Sequence, residues 1–287
     1  MRFQNLKFAL CFLFFCNPFL SSGQSALLYE ITGNNLKQPS YLFGTIHLIC
    51  PDDFIWSDSI SSRISKSQQV VLEMDVDAPE TMKYIQENVL FTDGKHLSDF
   101  ISKKDADTLN AWFKSQFNVG LKEIGQMKPL GIMSMMSMKL MDCIPESYET
   151  RISKLAAEQN KKVIGLESVR EQMNYFDQIP VEKQVAQMVE MVMKLDAGKK
   201  QFASMVSLYK KQDSEGLLTL VRNSAFEFDA FENVLLDKRN QLWIKSIINL
   251  TKSNPSFIAV GAGHLAGNKG LVSLLKKEGF TIKAVRW

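Results

Sequence analysis

The chain has 287 residues, of which 45% are hydrophobic and 23% are charged, and its formal net charge is +3. A charge so close to balance provides no basic surface for nucleic acid, so we expect no nucleic-acid partner. The length is large for one domain, but α/β folds of this size are often single domains with an ample core.

The first 23 residues have the pattern of a secretory signal peptide. Two basic residues, Arg2 and Lys7, precede a short apolar run, and small and polar residues follow it. The run is too short to span a bilayer, which takes ~20 apolar residues. We therefore predict a leader over 1–23, one domain over 24–287, and a periplasmic or extracellular protein without an integral membrane segment after cleavage. A lipid anchor on Cys16 is the less favoured alternative.

Strand patterns cluster at the two ends of the chain, and helical patterns fill its middle. Short runs of apolar and β-branched residues predict strands at 26–32, 40–43, 69–75, 162–167, 256–260 and 281–286. Apolar residues spaced three to four apart predict helices at 58–66, 99–117, 128–141, 147–159, most of 181–249, and 268–278. Because a lone hairpin is barely stable, the first and last strands are expected to share one sheet. The predicted fold is α/β, with a central sheet from N- and C-terminal strands, paired strand–Gly-x-x-His halves and a helical insert between them.

The tetrapeptide Gly-x-x-His occurs twice, each time after a predicted strand, as Gly44–His47 and as Gly261–His264. We expect each glycine to supply backbone angles that let the chain turn sharply at the strand end. His47 and His264 would then point off one sheet edge, where α/β folds bind their ligands. Imidazole is the commonest metal ligand and the usual proton carrier near neutral pH. The alternative is a pair of structural, hydrogen-bonded histidines.

A carboxylate, Glu73, directly follows the buried strand pattern and is expected at the same sheet edge. Two imidazoles and one carboxylate with an open position occur at catalytic zinc and at non-haem iron. The sequence therefore predicts that His47, His264 and Glu73 hold a metal, with Glu73 as a general base in the alternative. Asp75 is interpreted as a solvated turn acid, with a second carboxylate of the site as the alternative. Glu167 is interpreted as a structural hydrogen-bond acceptor.

Arg239 lies in a helix-like stretch near the C-terminal strands. An arginine beside a polarised carbonyl can hold a substrate carboxylate or an oxyanion. On its residue type alone, it is more often a surface ion-pair residue. Several methionines occur at helical spacing, which favours a role in filling the core. An apolar groove that binds a peptide is the alternative. These residues are Met133, Met135, Met136, Met138, Met141, Met188, Met191 and Met193.

Two cysteines lie outside the predicted leader, Cys50 and Cys143. In an oxidising compartment such a pair is a candidate disulfide. A bridge there would brace the loop that carries His47. The alternative is two unrelated buried thiols.

Together these motifs resemble the TraB/PrgY/GumN family, which includes the Tiki membrane proteases. The similar segments, in chain order, are Tyr41–His47, Leu72-Glu73, Gly165-Leu166-Glu167 with Gln172, Lys238-Arg239-Asn240 with Trp243, and Val260–His264. The resemblance implies an α/β fold with paired halves and a site built from both Gly-x-x-His motifs and the glutamate. In Tiki proteins such a site is linked to metal-dependent cleavage of a secreted peptide or protein, supported by manganese or cobalt.

Other members of that family are linked to pheromone shutdown or to polysaccharide-associated loci. Related folds include erythromycin esterases, which use similar histidines and a glutamate without a required metal. We expect no Tiki-type membrane anchor in this chain, so its substrates could differ.

The sequence thus favours an exported, metal-dependent hydrolase that cleaves a peptide or amide bond in a peptide or small-molecule substrate. The expected divalent metal is manganese, cobalt or zinc. Arg239 would steady the substrate or the oxyanion, and Asn240 would hold the loop. Two alternatives stay open: a metal-independent esterase-type hydrolase in which one histidine activates water, and a non-catalytic periplasmic protein that binds a peptide or haem iron.

Overall fold

In the computed structural model of the protein, residues 25–223 and 233–287 are described. The predicted leader over 1–23 lies outside them. The described residues form an α/β fold around a mixed six-stranded sheet, so the predicted fold class is confirmed at that level. The relation of the two Gly-x-x-His halves by internal pairing stays a prediction, as does the single domain.

The sheet has the strand order β4-β3-β5-β2-β1-β6. Its strands are β1 (Leu28–Gly33), β2 (Ser40–Thr45), β3 (Gln69–Leu72), β4 (Lys162–Gly165), β5 (Ser256–Gly261) and β6 (Phe280–Val285). The four neighbours β4, β3, β5 and β2 are parallel, whereas β1 is antiparallel to β2 and to β6. Residues Gln69–Leu72 are buried throughout, as parallel strands covered on both faces require. The pairing of β1 with β6 confirms that the two ends of the chain share one sheet.

Helices cover the sheet and form a second layer beyond it. They are α1 (Asp58–Lys66), α2 (Pro79–Asn88), α3 (Lys103–Phe117), α4 (Leu121–Ile124), α5 (Pro129–Ser137), α6 (Tyr148–Glu158), α7 (Val169–Asp177), α8 (Val181–Met193), α9 (Leu195–Lys210), α10 (Ser214–Arg222), α11 (Lys238–Ser253) and α12 (Leu271–Lys277). Short 3₁₀ turns occur at Pro51–Asp53, Leu97–Phe100, Met138–Leu140 and Ala262–His264. A π-helical turn at Asn233–Asp237 leads directly into α11.

Two of the predicted helix boundaries shift for local reasons. The helix predicted from 99 begins at Lys103, because the Ser102 side chain accepts from the Asp105 N–H and caps the helix there. The helix predicted from 128 begins at Pro129, because a residue before proline is held in extended backbone. In the described ranges, no helix has the length and apolar character needed to cross a membrane.

Two hydrophobic clusters fill the interior. The sheet core joins the strands to α1, α6, α9 and α11, and includes Phe43, Val71 and Ile258. The helical core joins α3, α5 and α8, where Met136 and Met188 are buried. These two methionines fill the core, as the favoured interpretation of the methionine pattern predicts.

Cys50 and Cys143 form a disulfide, with their Cα atoms 5.8 Å apart. The prediction of this bridge is confirmed. Beside it, Ile49 and Glu146 exchange two backbone hydrogen bonds, of 3.0 and 2.8 Å. The loop after β2 is therefore tied to the segment that leads into α6.

Candidate active site

The carboxyl ends of the four parallel strands bring the charged motif residues to one edge of the sheet. His47 follows β2, His264 follows β5, Glu73 follows β3 and Glu167 follows β4. β5 lies between β3 and β2 in the sheet, so the two Gly-x-x-His strands are direct neighbours. Ligands of open α/β sheets bind at such an edge.

Three side chains surround the α-carbon of Gly261. A β-carbon built there would lie 3.3 Å from Glu73 Oε1, 3.5 Å from His47 Nε2 and 3.7 Å from His264 Cδ2. All three residues predicted to hold a metal therefore face one small space. The space exists because residue 261 has no side chain.

The reason for glycine in these motifs differs from our expectation. Gly261 has an ordinary φ of −52°, and Gly44 does not have a positive φ either. A β-carbon on Gly44 would lie 2.5 Å from Leu265 Cδ1 and 3.1 Å from the Ala262 Cα. Close packing and open space, rather than unusual backbone angles, therefore account for glycine at both positions.

The hydrogen bonds of His264 fix its tautomer. Asn240 Nδ2 donates to the carbonyls of Lys269 and His264, so Asn240 Oδ1 faces His264 Nδ1 at 2.7 Å and accepts from it. Arg239 Nη1, which can only donate, lies 3.3 Å from His264 Nε2. Burial lowers the pKa of His264 to about 3, despite the attraction of Glu73. His264 is therefore a neutral imidazole whose Nε2 carries no proton.

The His47 side chain is 65% exposed and lies against Glu149. Its Nδ1 is 2.8 Å from Glu149 Oε1, which also accepts from Thr45 Oγ1 at 2.6 Å. The charge of the Glu149 carboxylate raises the pKa of His47. Glu149 thus anchors Nδ1 and leaves Nε2 directed at the space beside Gly261.

Glu73 is buried and ionised. Its Oε1 accepts from the Gly261 N–H at 2.7 Å, and its Oε2 accepts from Arg239 Nη2 and from Gln172 Nε2. Burial opposes ionisation, but the neighbouring His264, Arg239 and His47 together with the Gly261 N–H lower the pKa of Glu73 to about 2. A carboxylate that holds a proton so weakly is a poor general base near neutral pH.

Arg239 lies at the centre of a buried charged network. Its Nη2 donates to Glu73 and Glu167, its Nε to Glu167, and its Nη1 to the Leu235 carbonyl and to His264 Nε2. All of the guanidinium N–H directions thus meet protein atoms. Trp243 packs its ring 4.5 Å from the guanidinium and donates to Glu167 Oε2. Arg239 is placed to hold Glu73 and His264, whereas a contact with substrate would require Nη1 to leave its present partners.

A cavity of about 540 Å³ opens onto these groups. His47, Arg239 and His264 line one end of it, and mostly apolar side chains line the remainder. Its volume lies in the usual range for small-molecule sites, ~300–1,000 Å³.

The donor set has the chemistry of a divalent-metal site. Each imidazole has its Nδ1 hydrogen-bonded to an oxygen acceptor, as metal-binding histidines do, and presents Nε2. His264 Nε2 and Glu73 Oε1 are 3.6 Å apart, close to the ~3.4 Å between two ligands of one tetrahedral zinc. As placed, however, no three His, Cys, Asp or Glu side chains among residues 25–223 and 233–287 are grouped tightly enough to hold a metal ion. The exposed His47 is the least fixed of the three.

The position of Asp75 in a turn agrees with the sequence-based interpretation, whereas the role of Glu149 could not be predicted from the sequence. Asp75 Oδ1 accepts from the Asp77 N–H at 3.2 Å, as expected for a turn acid. Sequence reasoning missed Glu149, because an acid in the first turn of a helix is common for electrostatic reasons alone. The only hint was its position six residues after Cys143, which the predicted disulfide places near the His47 loop.

The family comparison covers almost the whole described chain. The model of the TraB/PrgY/gumN family matches residues 27–284. This chain belongs to the TraB/PrgY/gumN family. The predicted resemblance is therefore confirmed.

Curated relatives of this TraB/PrgY/gumN chain are distant. It is 24% identical to the protein named "Metalloprotease TIKI homolog" of Nematostella vectensis, with 86% of this chain and 65% of the relative aligned. It is 21% identical to "Metalloprotease TIKI2" of Danio rerio, with 93% of this chain and 62% of the relative aligned. The chain thus spans less than two thirds of the length of either relative. No solved structure matches it.

Proposed function

We propose that the protein is an exported, metal-dependent hydrolase that cleaves a peptide or amide bond. The observation that carries this proposal is the convergence of His47 Nε2, Glu73 Oε1 and the His264 ring around Gly261, with each imidazole anchored through Nδ1. The names of the TIKI relatives support a metal and proteolysis. The disulfide and the leader pattern support export.

In this proposal His47, His264 and Glu73 hold manganese, cobalt or zinc. A divalent metal held there would supply a Lewis acid that acidifies water and polarises the scissile carbonyl. Arg239 keeps Glu73 ionised and oriented, and Asn240 keeps the His264 Nε2 unprotonated. The adjoining cavity holds the substrate against these groups.

A second candidate is a hydrolase that needs no metal. It is favoured by the contact of Arg239 Nη1 with His264 Nε2, which occupies the lone pair that a metal would take. In this arrangement His47, whose pKa is raised by the Glu149 carboxylate, would stabilise the oxyanion as an imidazolium.

The test compares metal binding and hydrolysis in the wild type, His47→Ala, His264→Ala and His96→Ala. His96 is the third histidine and caps a distant 3₁₀ turn, so its variant is the matched control. We expect the wild type to bind one metal ion, and the two site variants to lose affinity by about a hundredfold or more. A peptide mixture with a mass-spectrometric readout reports cleavage.

The possible outcomes distinguish the metal-dependent candidate from the metal-free candidate. Cleavage that survives chelation but is lost in both site variants would support the metal-free candidate. Cleavage that is unchanged in both site variants would overturn both forms of the proposal.

A further inference from the structure

A second cavity, of about 340 Å³, adjoins the cavity at the candidate site. Its described lining consists of apolar side chains, one glycine and two glutamines, and contains no charged side chain. The two cavities share four lining residues, which are Leu140, Phe202, Met205 and Val221. A continuous apolar surface therefore begins at His47 and His264 and extends away from them.

This surface lies between the two hydrophobic clusters of the fold. Phe202 and Met205 on α9 pack against the sheet core, while Met133 on α5 and Met191 on α8 pack against the helical core. Each of these side chains is only partly buried. One side of each side chain thus packs on a core, and the other side faces a cavity. Displacement of water from this apolar surface by an apolar ligand is favourable.

Two serines that line the first cavity are already bonded within the protein. Ser134 Oγ donates to the Leu130 carbonyl at 2.9 Å, and Ser137 Oγ donates to the Met133 carbonyl at 2.8 Å. Neither hydroxyl hydrogen is left for a ligand. A polar or charged ligand group that met only the apolar side chains of this surface would lose its water without compensation, which is unfavourable.

We propose that these two cavities bind the apolar side chains of a peptide substrate next to the bond that is cut. The inference rests on the proposed hydrolytic function, since it places the scissile bond at the end that holds His47 and His264. Methionine side chains adapt their shape, so Leu, Met and Phe should be accepted in similar measure. Peptides with Ser or Asn at the same position should be poor substrates.

The first experiment measures kcat/KM for hexapeptides that differ only at the residue beside the scissile bond. We expect Leu, Met and Phe peptides to be preferred over Ser and Asn peptides by about ten- to a hundredfold, the usual effect of burying one apolar side chain. Met205 lines both cavities. Met205→Gln should lower the ratio of kcat/KM for the Leu peptide to kcat/KM for the Ser peptide by about tenfold.

Two control variants separate specificity from stability. Met205→Leu keeps an apolar side chain of similar volume and should keep the preference for the Leu peptide over the Ser peptide. Met193 is 74% exposed at the end of α8 and lines neither cavity, so Met193→Gln should have no effect.

A binding measurement keeps this inference separate from the proposed function. Fluorescence anisotropy follows a labelled Leu-Met-Phe hexapeptide and its Ser-Asn-Thr counterpart in chelator, where metal-dependent hydrolysis is stopped. Tight binding of the first peptide, weakened by Met205→Gln, supports the inference even if no hydrolysis is ever found. Hydrolysis without apolar preference, or displacement of the peptide by an N-decanoyl amide that binds more tightly, would overturn it.

Discussion

Asn240 on α11 and His264 after β5 are joined by hydrogen bonds in both directions. Asn240 Oδ1 accepts from His264 Nδ1, and Asn240 Nδ2 donates to the His264 carbonyl. One side chain therefore holds the loop and also determines which nitrogen of the imidazole faces Glu73. The predicted role of Asn240 in holding the loop is consistent with this geometry, which adds control of the tautomer.

Asn240→Ala should weaken metal binding by about ten- to a hundredfold, as the loss of a partner that orients a metal-binding histidine usually does. Without the acceptor, only the Arg239 Nη1 contact still opposes movement of the His264 proton to Nε2. Nitrogen-15 NMR of the imidazole should show one tautomer in the wild type and a mixture in the variant. Asn249→Ala, at an exposed position of the same helix, is the control. Equal metal affinity in both variants would contradict the role given to Asn240.

Arg239→Ala should destabilise the protein by about 3–5 kcal/mol, because it leaves Glu73 and Glu167 buried without their cation. Urea unfolding monitored by tryptophan fluorescence measures this change. Lys83→Ala breaks an exposed pair with Glu87 and should cost no more than about 1 kcal/mol. Similar losses in the two variants would show that the buried network does not stabilise the fold.

Strand positions could be predicted because buried parallel strands are short, continuous apolar runs. Gln69–Leu72 is an example, and the carboxylate of Glu73 after it was correctly expected at the sheet edge. It was harder to predict that β2 and β5 are neighbours in the sheet. Their pairing joins segments more than 200 residues apart and does not follow from local periodicity. The sequence contains both Gly-x-x-His motifs but not the strand order that joins them.

The distant hydrogen-bond partners of Arg239 and His47 could not be predicted. Arg239 has acceptors 72 and 166 residues away, in Glu167 and Glu73, so its residue type favoured the surface. Arg239 is buried because β3 and β4 end beside α11, and the strand order that brings them there is not visible in the sequence. Glu149 is similar, since it reaches His47 through a disulfide-tied loop.

Removal of the disulfide by Cys50→Ser with Cys143→Ser should destabilise the protein by about 2–5 kcal/mol. The bridge closes a loop of 93 residues, and long loops lose much chain entropy when they are closed in the unfolded state. Urea unfolding with and without a phosphine reductant measures the effect. The reductant should reproduce the loss in the wild type and leave the double variant unchanged. A wild type that keeps its full stability when both thiols are shown to be free would refute this prediction.

Gly261→Ala should keep the fold and lose the metal. The new methyl group would stand 3.3 Å from Glu73 Oε1 and 3.5 Å from His47 Nε2, in the space that a shared ligand needs. The ordinary φ at this position accepts alanine, and these distances are tight without being a severe clash. Circular dichroism should therefore match the wild type, while calorimetric titration with manganese, cobalt or zinc should show no binding.

Gly263→Ala is the matched control for this substitution. Among the described residues, its added methyl group would meet the Leu236 methyls at 3.6 Å and would have none of the three candidate ligands within 4 Å. Metal affinity in this variant should stay within about twofold of the wild type, as for most substitutions that make only ordinary contacts. If Gly261→Ala bound metal as tightly as Gly263→Ala, the ion would have to lie elsewhere, and the space beside residue 261 would not be the metal site.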